Sequence, residues 1–499
     1  NSNQVTASDT SSNCNSVKFQ PAMEITAHMI NINIGNNAEL MKKCRLLLAA
    51  GLLMFLTGCF SQSVEEFYAP PKAPDDYLKL DNEINKVLTQ GGEYAAPLSG
   101  ELTQKVQLQD LDGDGVQEAI AFFRVSADER PLKIYIYRQV GENYEVAAVI
   151  EGSGNAIDSI YYENLDDSPS KELIVDWETA GQRHSLAAYS IDRYEVLELM
   201  RTDHAGFQIY DVDGDGQKEI LVLQMAAGEV GQAESFVNSA PGSRVEVYNF
   251  RDGILELDAS APLSNGVEKL VSMKTGYLQN MAPALFVTST YAENGQITDI
   301  FAWKNGGLEN VTLEPDTGES DSTIRWSTEV ESTKVSYTDI NHDGILELPS
   351  AYALPDPNNV GTAPNFWAIR WWQYDINGVS HLVYTTYHNS RDGWYFVLPE
   401  AWSGKVTLSR SDLAGGGERA VIFSYWEGSA DTAPVPFLVI YKLTGDNRVM
   451  RANMADRFLL PNTGEEKETI YAARLIESGW DCGLDEEGVK ANFALITSD

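Results

Sequence analysis

The chain is poor in positive charge. Its 499 residues hold 36 Lys and Arg against 73 Asp and Glu, a net charge of −37 with a pI near 4.4. Phosphate backbones are bound by clustered Lys and Arg, so no nucleic-acid partner is expected. Cysteine is scarce as well: Cys14, Cys44, Cys59 and Cys482 are all there is. No apolar run reaches the ~20 residues that a spanning helix needs. The nucleophile elbow G-x-S-x-G, the zinc motif H-E-x-x-H, the P-loop and the dinucleotide fingerprint G-x-G-x-x-G are all missing. Histidine is rare, and His381 and His388 stand seven apart, on opposite sides of a regular strand, so no zinc pair is expected there. A pair of glycosidase-type carboxylates cannot be picked from so many acidic residues without geometry. Apolar residues still make up 43%, enough for a sizeable core.

The N-terminal region reads as an address. Residues 41–58 begin with Met41, carry Lys42, Lys43 and Arg45, and continue with the apolar stretch Leu46–Leu56. This is a signal-peptide pattern, too short to span a bilayer. It ends in Leu56-Thr57-Gly58-Cys59, which resembles the lipobox of bacterial lipoproteins. The resemblance implies cleavage before Cys59, lipidation of that cysteine and an extracytoplasmic, membrane-anchored protein on the cell surface or in the periplasm. Residues 1–40 precede Met41 and are expected to be a non-native upstream segment without order. Cleavage would leave Cys59 lipidated and Cys482 without a partner, so no intramolecular disulfide is expected. Cys482 reads as core filler rather than a reactive thiol. Residues 59–74, with YAPPKAP, are a polar tether. Within 75–95, Tyr77, Leu80, Ile84, Val87 and Leu88 fall at helical spacing, between a capping Asp75 and a terminating Gly91.

Three acidic loops dominate the body: DLDGDGVQE from Asp110, DVDGDGQKE from Asp211 and DINHDGILE from Asp339. A degenerate copy, NLDDSPSKE, starts at Asn164, and fainter echoes occur in GYLQNMAPALFV and SDLAGGGERAVIF. The copies recur every 47 to 72 residues, each between a strand-like run that feeds the loop and another that leaves it. Two further strand-like runs follow. Four antiparallel strands per unit predict an all-β chain, a β-propeller of about 5–7 four-stranded blades over residues 96–390. Residues 391–499 are expected to form the last blade or blades, or a small β-rich C-terminal domain. If they supply the last blade, the strand within Glu101–Asp110 is available to complete it and close the ring.

The loops, each leading into an apolar strand, resemble the FG-GAP or VCBS repeats of integrin α-type propellers. The resemblance implies calcium held in the loop, on the face away from the ligand. The residue chemistry agrees. Calcium takes six to eight oxygens in a tolerant geometry, which magnesium does not. Candidate ligands are the side chains of Asp110, Asp112, Asp114 and Glu118, with the carbonyl of Val116. The second loop offers Asp211, Asp213, Asp215, Glu219 and the carbonyl of Gln217. The third offers Asp339, Asn341, Asp343, Glu347 and the carbonyl of Ile345. An EF-hand would need Glu at position 12, where this chain has Ala121, Val222 and Ser350. Two to three structural Ca2+ sites are therefore expected, the third weaker because Asn341 replaces a carboxylate and the Asn164 copy weak or empty.

An aromatic cluster, FWAIRWWQYD and GWYFVLPEAW, fits core packing better than exposed stacking platforms because it alternates within strand-like runs. With catalytic motifs missing, a binding, adhesion or protein-interaction module for an unknown protein or glycan ligand is the leading reading over an enzyme. A polysaccharide-active enzyme on the same scaffold, and a structural or assembly factor of the cell envelope, are the alternatives. Mass spectrometry of the protein from its native host is expected to find a lipidated peptide starting at Cys59 and no peptide from residues 1–40. Recovery of 1–40 peptides would refute the assignment.

Overall fold

The apolar runs that leave the acidic loops become strands buried on both faces. In EAIAFFR, every residue from Glu118 to Phe123 is buried, and ELIVDW and EILVL behave alike. Such strands need a packed layer on either side, and that demand organises the molecule. The computed structural model describes residues 75–496 apart from 167, 182, 194, 227–241, 293–294, 323, 326–334, 359–364, 414–415, 430, 455 and 462–467. The leader, the tether and Cys59 lie outside the described residues, as do residues 1–40.

Six antiparallel sheets follow one another along the chain. The first holds β1 (Glu93–Tyr94), β2 (Val106–Gln109), β3 (Glu118–Arg124), β4 (Leu132–Val140) and β5 (Asn143–Gly152). The second holds β6 (Ala156–Glu163), β7 (Glu172–Thr179), β8 (Arg183–Asp192) and β9 (Glu195–His204). The third holds β10 (Gly206–Tyr210), β11 (Glu219–Gln224), β12 (Arg244–Arg251) and β13 (Ile254–Pro262). In the fourth are β14 (Val267–Leu278), β15 (Ala282–Tyr291), β16 (Gly295–Lys304), β17 (Gly307–Asn310) and the short β18 (Ile324–Arg325). The fifth is made of β19 (Leu348–Ala353), β20 (Trp367–Tyr374), β21 (Ser380–Asn389) and β22 (Trp394–Val397). The sixth contains β23 (Val406–Leu413), β24 (Glu418–Tyr425), β25 (Val435–Leu443), β26 (Phe458–Leu459) and β27 (Ile470–Leu475). Last in the chain, β28 (Phe493–Leu495) returns to pair with β22. Residues 391–499 thus complete the fifth sheet and build the sixth.

Consecutive sheets pack face to face through five apolar cores. Ile120, Phe122 and Ile134 of the first sheet meet Ile160, Leu173 and Val175 of the second. Ile174 and Leu186 meet Ile220 and Val222. Leu221 and Val247 meet Leu285 and Phe301. Phe286 and Ile300 meet Leu348 and Tyr374. Between the fifth and sixth, Trp394, Phe396 and Trp402 pack on Phe423 and Phe437. The aromatics of residues 367–402 therefore serve mainly as core. Trp371 is buried and donates from Nε1 to Thr386 Oγ1 at 2.7 Å, while the half-buried Trp372 packs on the core shared with the fourth sheet and donates from Nε1 to Ser350 Oγ at 2.8 Å.

The two outer faces of this series are covered by helices. Helix α1 (Asp75–Thr89) lays Leu80, Ile84 and Val87 on Ala119, Ala121 and Phe123, the residues of β3 that alternate with those facing the second sheet. Helix α2 (Arg448–Ala452) places Ala452 on Val439, Tyr441 and Ala472 of the sixth sheet. Among the described residues no apolar core joins the sixth sheet to the first. The strand available for ring closure, β2, pairs instead with β3 from Val106–Ala121 to Gln109–Glu118. The acidic loop ties β2 and β3 into one hairpin, and local pairing costs less loop entropy than reaching the far end of the chain.

Ile84→Ala is expected to lower stability by about 2–5 kcal/mol through loss of this helix contact. Lys79→Ala, which breaks only the exposed pair with Glu142, should change it by less than ~1 kcal/mol. Urea denaturation of the two variants checks both outcomes.

Candidate metal centres

The first acidic loop connects β2 to β3 and the second β10 to β11, whereas the third precedes β19 through the bridge Thr338–Glu347. In the first loop, Asp110 Oδ1 accepts from Gly113 N–H at 2.8 Å and Oδ2 from Gly115 N–H at 3.0 Å. Asp112 accepts from Asp114 N–H and Asp114 from Val116 N–H. The second loop repeats this pattern through Asp211, Asp213 and Asp215, with Gln217 N–H on Asp215. These bonds wrap the backbone tightly enough to require left-handed residues at position 6, where Gly115, Gly216 and Gly344 have φ of 88°, 98° and 86°.

The glutamate at position 9 opens β3 and β11 in the first two loops and immediately precedes β19 in the third, and it is buried in each. Its Oε2 accepts the backbone N–H of loop position 2 at 2.9 Å in all three loops: Glu118 from Leu111, Glu219 from Val212, Glu347 from Ile340. The degenerate loop keeps the same bond, Leu165 N–H to Glu172 at 2.8 Å. Burial pushes these glutamates up from their ordinary range, and nearby aspartates add to the shift. Glu219 and Glu347 are each raised to about 7.

Three carboxylates converge in each acidic loop, with oxygens within 4.8 Å of one another: Asp110, Asp112 and Glu118; Asp211, Asp213 and Glu219; Asp339, Asp343 and Glu347. Asp114, Asp215 and Asn341 fall outside these triplets, and the N–H groups of Val116, Gln217 and Ile345 bond to the residue two positions earlier. The loops differ in what meets the inner oxygens. Glu219 Oε1 is buried without a partner, on a side chain 1% exposed. A buried, unpaired carboxylate oxygen beside two further carboxylates is a fit for a hard cation. In the third loop an amide stands there instead. Gln373 Nε2, from β20, donates to Asp343 Oδ2 at 2.7 Å and to Glu347 Oε1 at 2.6 Å. Asn341 Nδ2 also donates to Asp343 Oδ2 at 2.9 Å. Asp343 lies below its ordinary value, because these amides and Ile345 N–H outweigh its slight burial. In the degenerate loop, Asn164 turns its amide onto the carbonyls of Ser168 and Ser170, filling the centre with a donor.

The loops line one end of the sheets. Lys171 N–H donates to Leu111 O between the first two, and Lys218 pairs with Glu163 between the second and third. Tyr210 reaches Gly276 O, and Leu346 N–H reaches Tyr277 O. Between the fifth and sixth sheets lies a cleft of about 570 Å³ bordered by Tyr352, Arg370, Tyr384, Thr385, Glu400 and Ser403. Tyr352 sits near the end of β19, the strand that the third loop opens. The Arg370 guanidinium lies 3.8 Å over the Tyr352 ring, and its buried Nε has no hydrogen-bond partner. Sequence reasoning missed Gln373 and Arg370; neither belongs to a motif, and each acquires its role from a neighbouring strand.

No family model matches the chain, and no curated protein matches it. Among solved structures, the Bacillus licheniformis rhamnogalacturonan lyase PL11 aligns over 69% of this chain and 77% of its own, at 13% identity and a TM-score of 0.28. The exotype rhamnogalacturonan lyase YesX aligns over 68% and 74%, at 12% identity and a TM-score of 0.26. Rhamnogalacturonan lyase YesW aligns over 67% and 89%, at 12% identity and a TM-score of 0.24. Superpositions this loose carry no argument about activity.

Calcium titration by calorimetry is expected to fill the first two loops more tightly than the third. Gln373→Ala should tighten the third site by removing the competing amide, whereas Glu219→Gln should abolish one of the tight sites. No heat of binding from any loop would overturn the metal reading.

Proposed function

We propose that the chain is a lipid-anchored, extracytoplasmic binding module built from six propeller-type blades. Calcium in the acidic loops keeps the blades rigid, and the cleft between the fifth and sixth sheets holds an anionic, sugar-like ligand. The blade reading is supported by the sequential strand order, by a recurring loop after the first strand and by face-to-face packing of consecutive sheets. Helices α1 and α2 occupy the end faces that would meet in a closed ring, so the proposed array is open.

Asp110, Asp112 and Glu118 would hold one calcium, and Asp211, Asp213 and Glu219 a second. Asp339, Asp343 and Glu347 would hold a third once the Gln373 amide is displaced. The ion supplies positive charge that the buried glutamates lack and couples loop geometry to folding, since a ligand bound only by the native state adds to its stability. With Cys59 lipidated, as the lipobox resemblance implies, these loops would lie outside the cytosol and the lipid would tether the module to its membrane.

Arg370 is the observation that carries the ligand. In a chain with a net charge of −37, it bears a buried Nε with no hydrogen-bond partner, inside a cleft large enough for a small ligand. A guanidinium held flat on a tyrosine presents its edge to a carboxylate. Tyr384 offers an apolar face, and Thr385, Glu400 and Ser403 offer partners for hydroxyls. Only one carboxylate borders the cleft, Glu400, where glycoside hydrolysis calls for two. Binding is therefore the reading favoured over cleavage.

Titration with uronate-containing and neutral oligosaccharides of equal length tests it. Acidic sugars should bind and neutral ones should not, and Arg370→Ala should weaken binding by about tenfold or more. Equal binding by both sugar classes, or full affinity in the variant, would refute the assignment.

A further inference from the structure

Outside the acidic loops, one cluster joins a carboxylate to two imidazoles. His184 on β8 and His204 on β9 are directly paired across the hairpin. Asp176 on β7 is opposite Leu186, two residues along β8 from His184, so all three side chains leave the same face of the second sheet. Asp176 is nearly enclosed, with its side chain 5% exposed, and His204 is 4% exposed. His184 Nδ1 lies 3.0 Å from Asp176 Oδ2, and His204 Nε2 lies 3.1 Å from Asp176 Oδ1. One donor atom from each residue falls within 4.8 Å of the others.

We propose that Asp176, His184 and His204 form a zinc-type site, separate in place and in chemistry from the acidic loops. Calcium is a hard cation served by oxygen alone, whereas two imidazole nitrogens and one carboxylate suit zinc and its borderline neighbours. Donor atoms around a tetrahedral zinc stand roughly 3.3 Å apart, given bonds of about 2.0–2.1 Å. From the single oxygen Asp176 Oδ1, His184 Nδ1 stands at 3.2 Å and His204 Nε2 at 3.1 Å, close to that spacing. His184 would bind through Nδ1 and His204 through Nε2, each as the neutral ring with its proton on the other nitrogen.

The surroundings fix two of the three ligands. The edge of the His204 ring meets Phe207 at 88° and a centroid distance of 5.2 Å, which holds its plane. Asp176 is held by the buried strand β7. His184, by contrast, is 33% exposed, which leaves a route for the ion and room for water as a fourth ligand, the open arrangement of zinc sites with three protein ligands. The cation also places positive charge beside a buried carboxylate. His204 Nδ1 is buried without a partner. Ligating histidines usually donate that proton, so the affinity expected is moderate. The site sits on the half of the second sheet remote from its loop, because β7 starts at Glu172 beside the loop and runs away from it.

The test is a zinc titration of the untagged full chain in excess calcium, followed by competition with a chromophoric chelator. One zinc should bind per chain, and cobalt in its place should give the visible absorption of a tetrahedral site. His184→Gln, whose half-exposed position spares the fold, should lose affinity by about tenfold or more while melting as the parent does in calcium. His204→Gln should do the same, and Glu219→Gln should keep the zinc. No zinc uptake by the parent would overturn the proposal, as would uptake unchanged in His184→Gln; the cluster would then be a hydrogen-bonded Asp–His pair set only.

Discussion

The interaction on which the structure depends is a buried glutamate that accepts a backbone N–H seven residues before it. It recurs at Glu118, Glu172, Glu219 and Glu347, always at the entrance to the strand that follows its loop. The bond pins the start of the loop to its end, so the aspartates between are forced inward. It also creates a difficulty: the second carboxylate oxygen is buried too and needs a partner. The loops differ chiefly in how they meet that need. The third brings in an amide from β20, whereas the second leaves Glu219 Oε1 unpaired. What makes the fold regular is thus also what makes a cation useful.

Rigidity at the loops reaches the rest of the molecule through double-sided strands. Because β3, β7 and β11 are buried on both faces, every sheet acts as a layer in two cores, and the series of layers must be finished at its ends. Helices do this at both ends, at Leu80, Ile84 and Val87 on one side and at Ala452 on the other. The first helix was legible from its spacing of apolar residues. The second is five residues long, too brief for periodicity to reveal it.

Legibility followed distance along the chain. The acidic loops are contiguous, so their candidate ligands could be read from the sequence, and the strands on either side of the first two loops formed where alternation and apolar runs placed them; before the third loop only the bridge Thr338–Glu347 forms. Gln373 lies 26 residues from Glu347 and looks like any polar strand residue; only the pairing of β19 with β20 brings it to the loop. His184 and His204 were visible as rare residues, but their meeting depends on the register of one hairpin, and a shift of one residue would send the two rings to opposite faces. The return of β28 to the fifth sheet is likewise a long-range pairing that three residues of sequence do not announce.

The same logic separates the loops from the rest of the sheets by chemistry. At the loop end, short contiguous segments supply oxygen donors close together, the kind of donor set that suits a hard cation. Outside the loops, donors come from different strands and different residue types: imidazole nitrogens in the second sheet, a guanidinium over an aromatic ring in the fifth. Cross-strand assembly allows mixed donor sets that no single loop could hold, and mixed sets are what discriminate among ligands. The loops are alike because they solve one folding problem repeatedly. Away from the loops, the polar side chains differ from sheet to sheet.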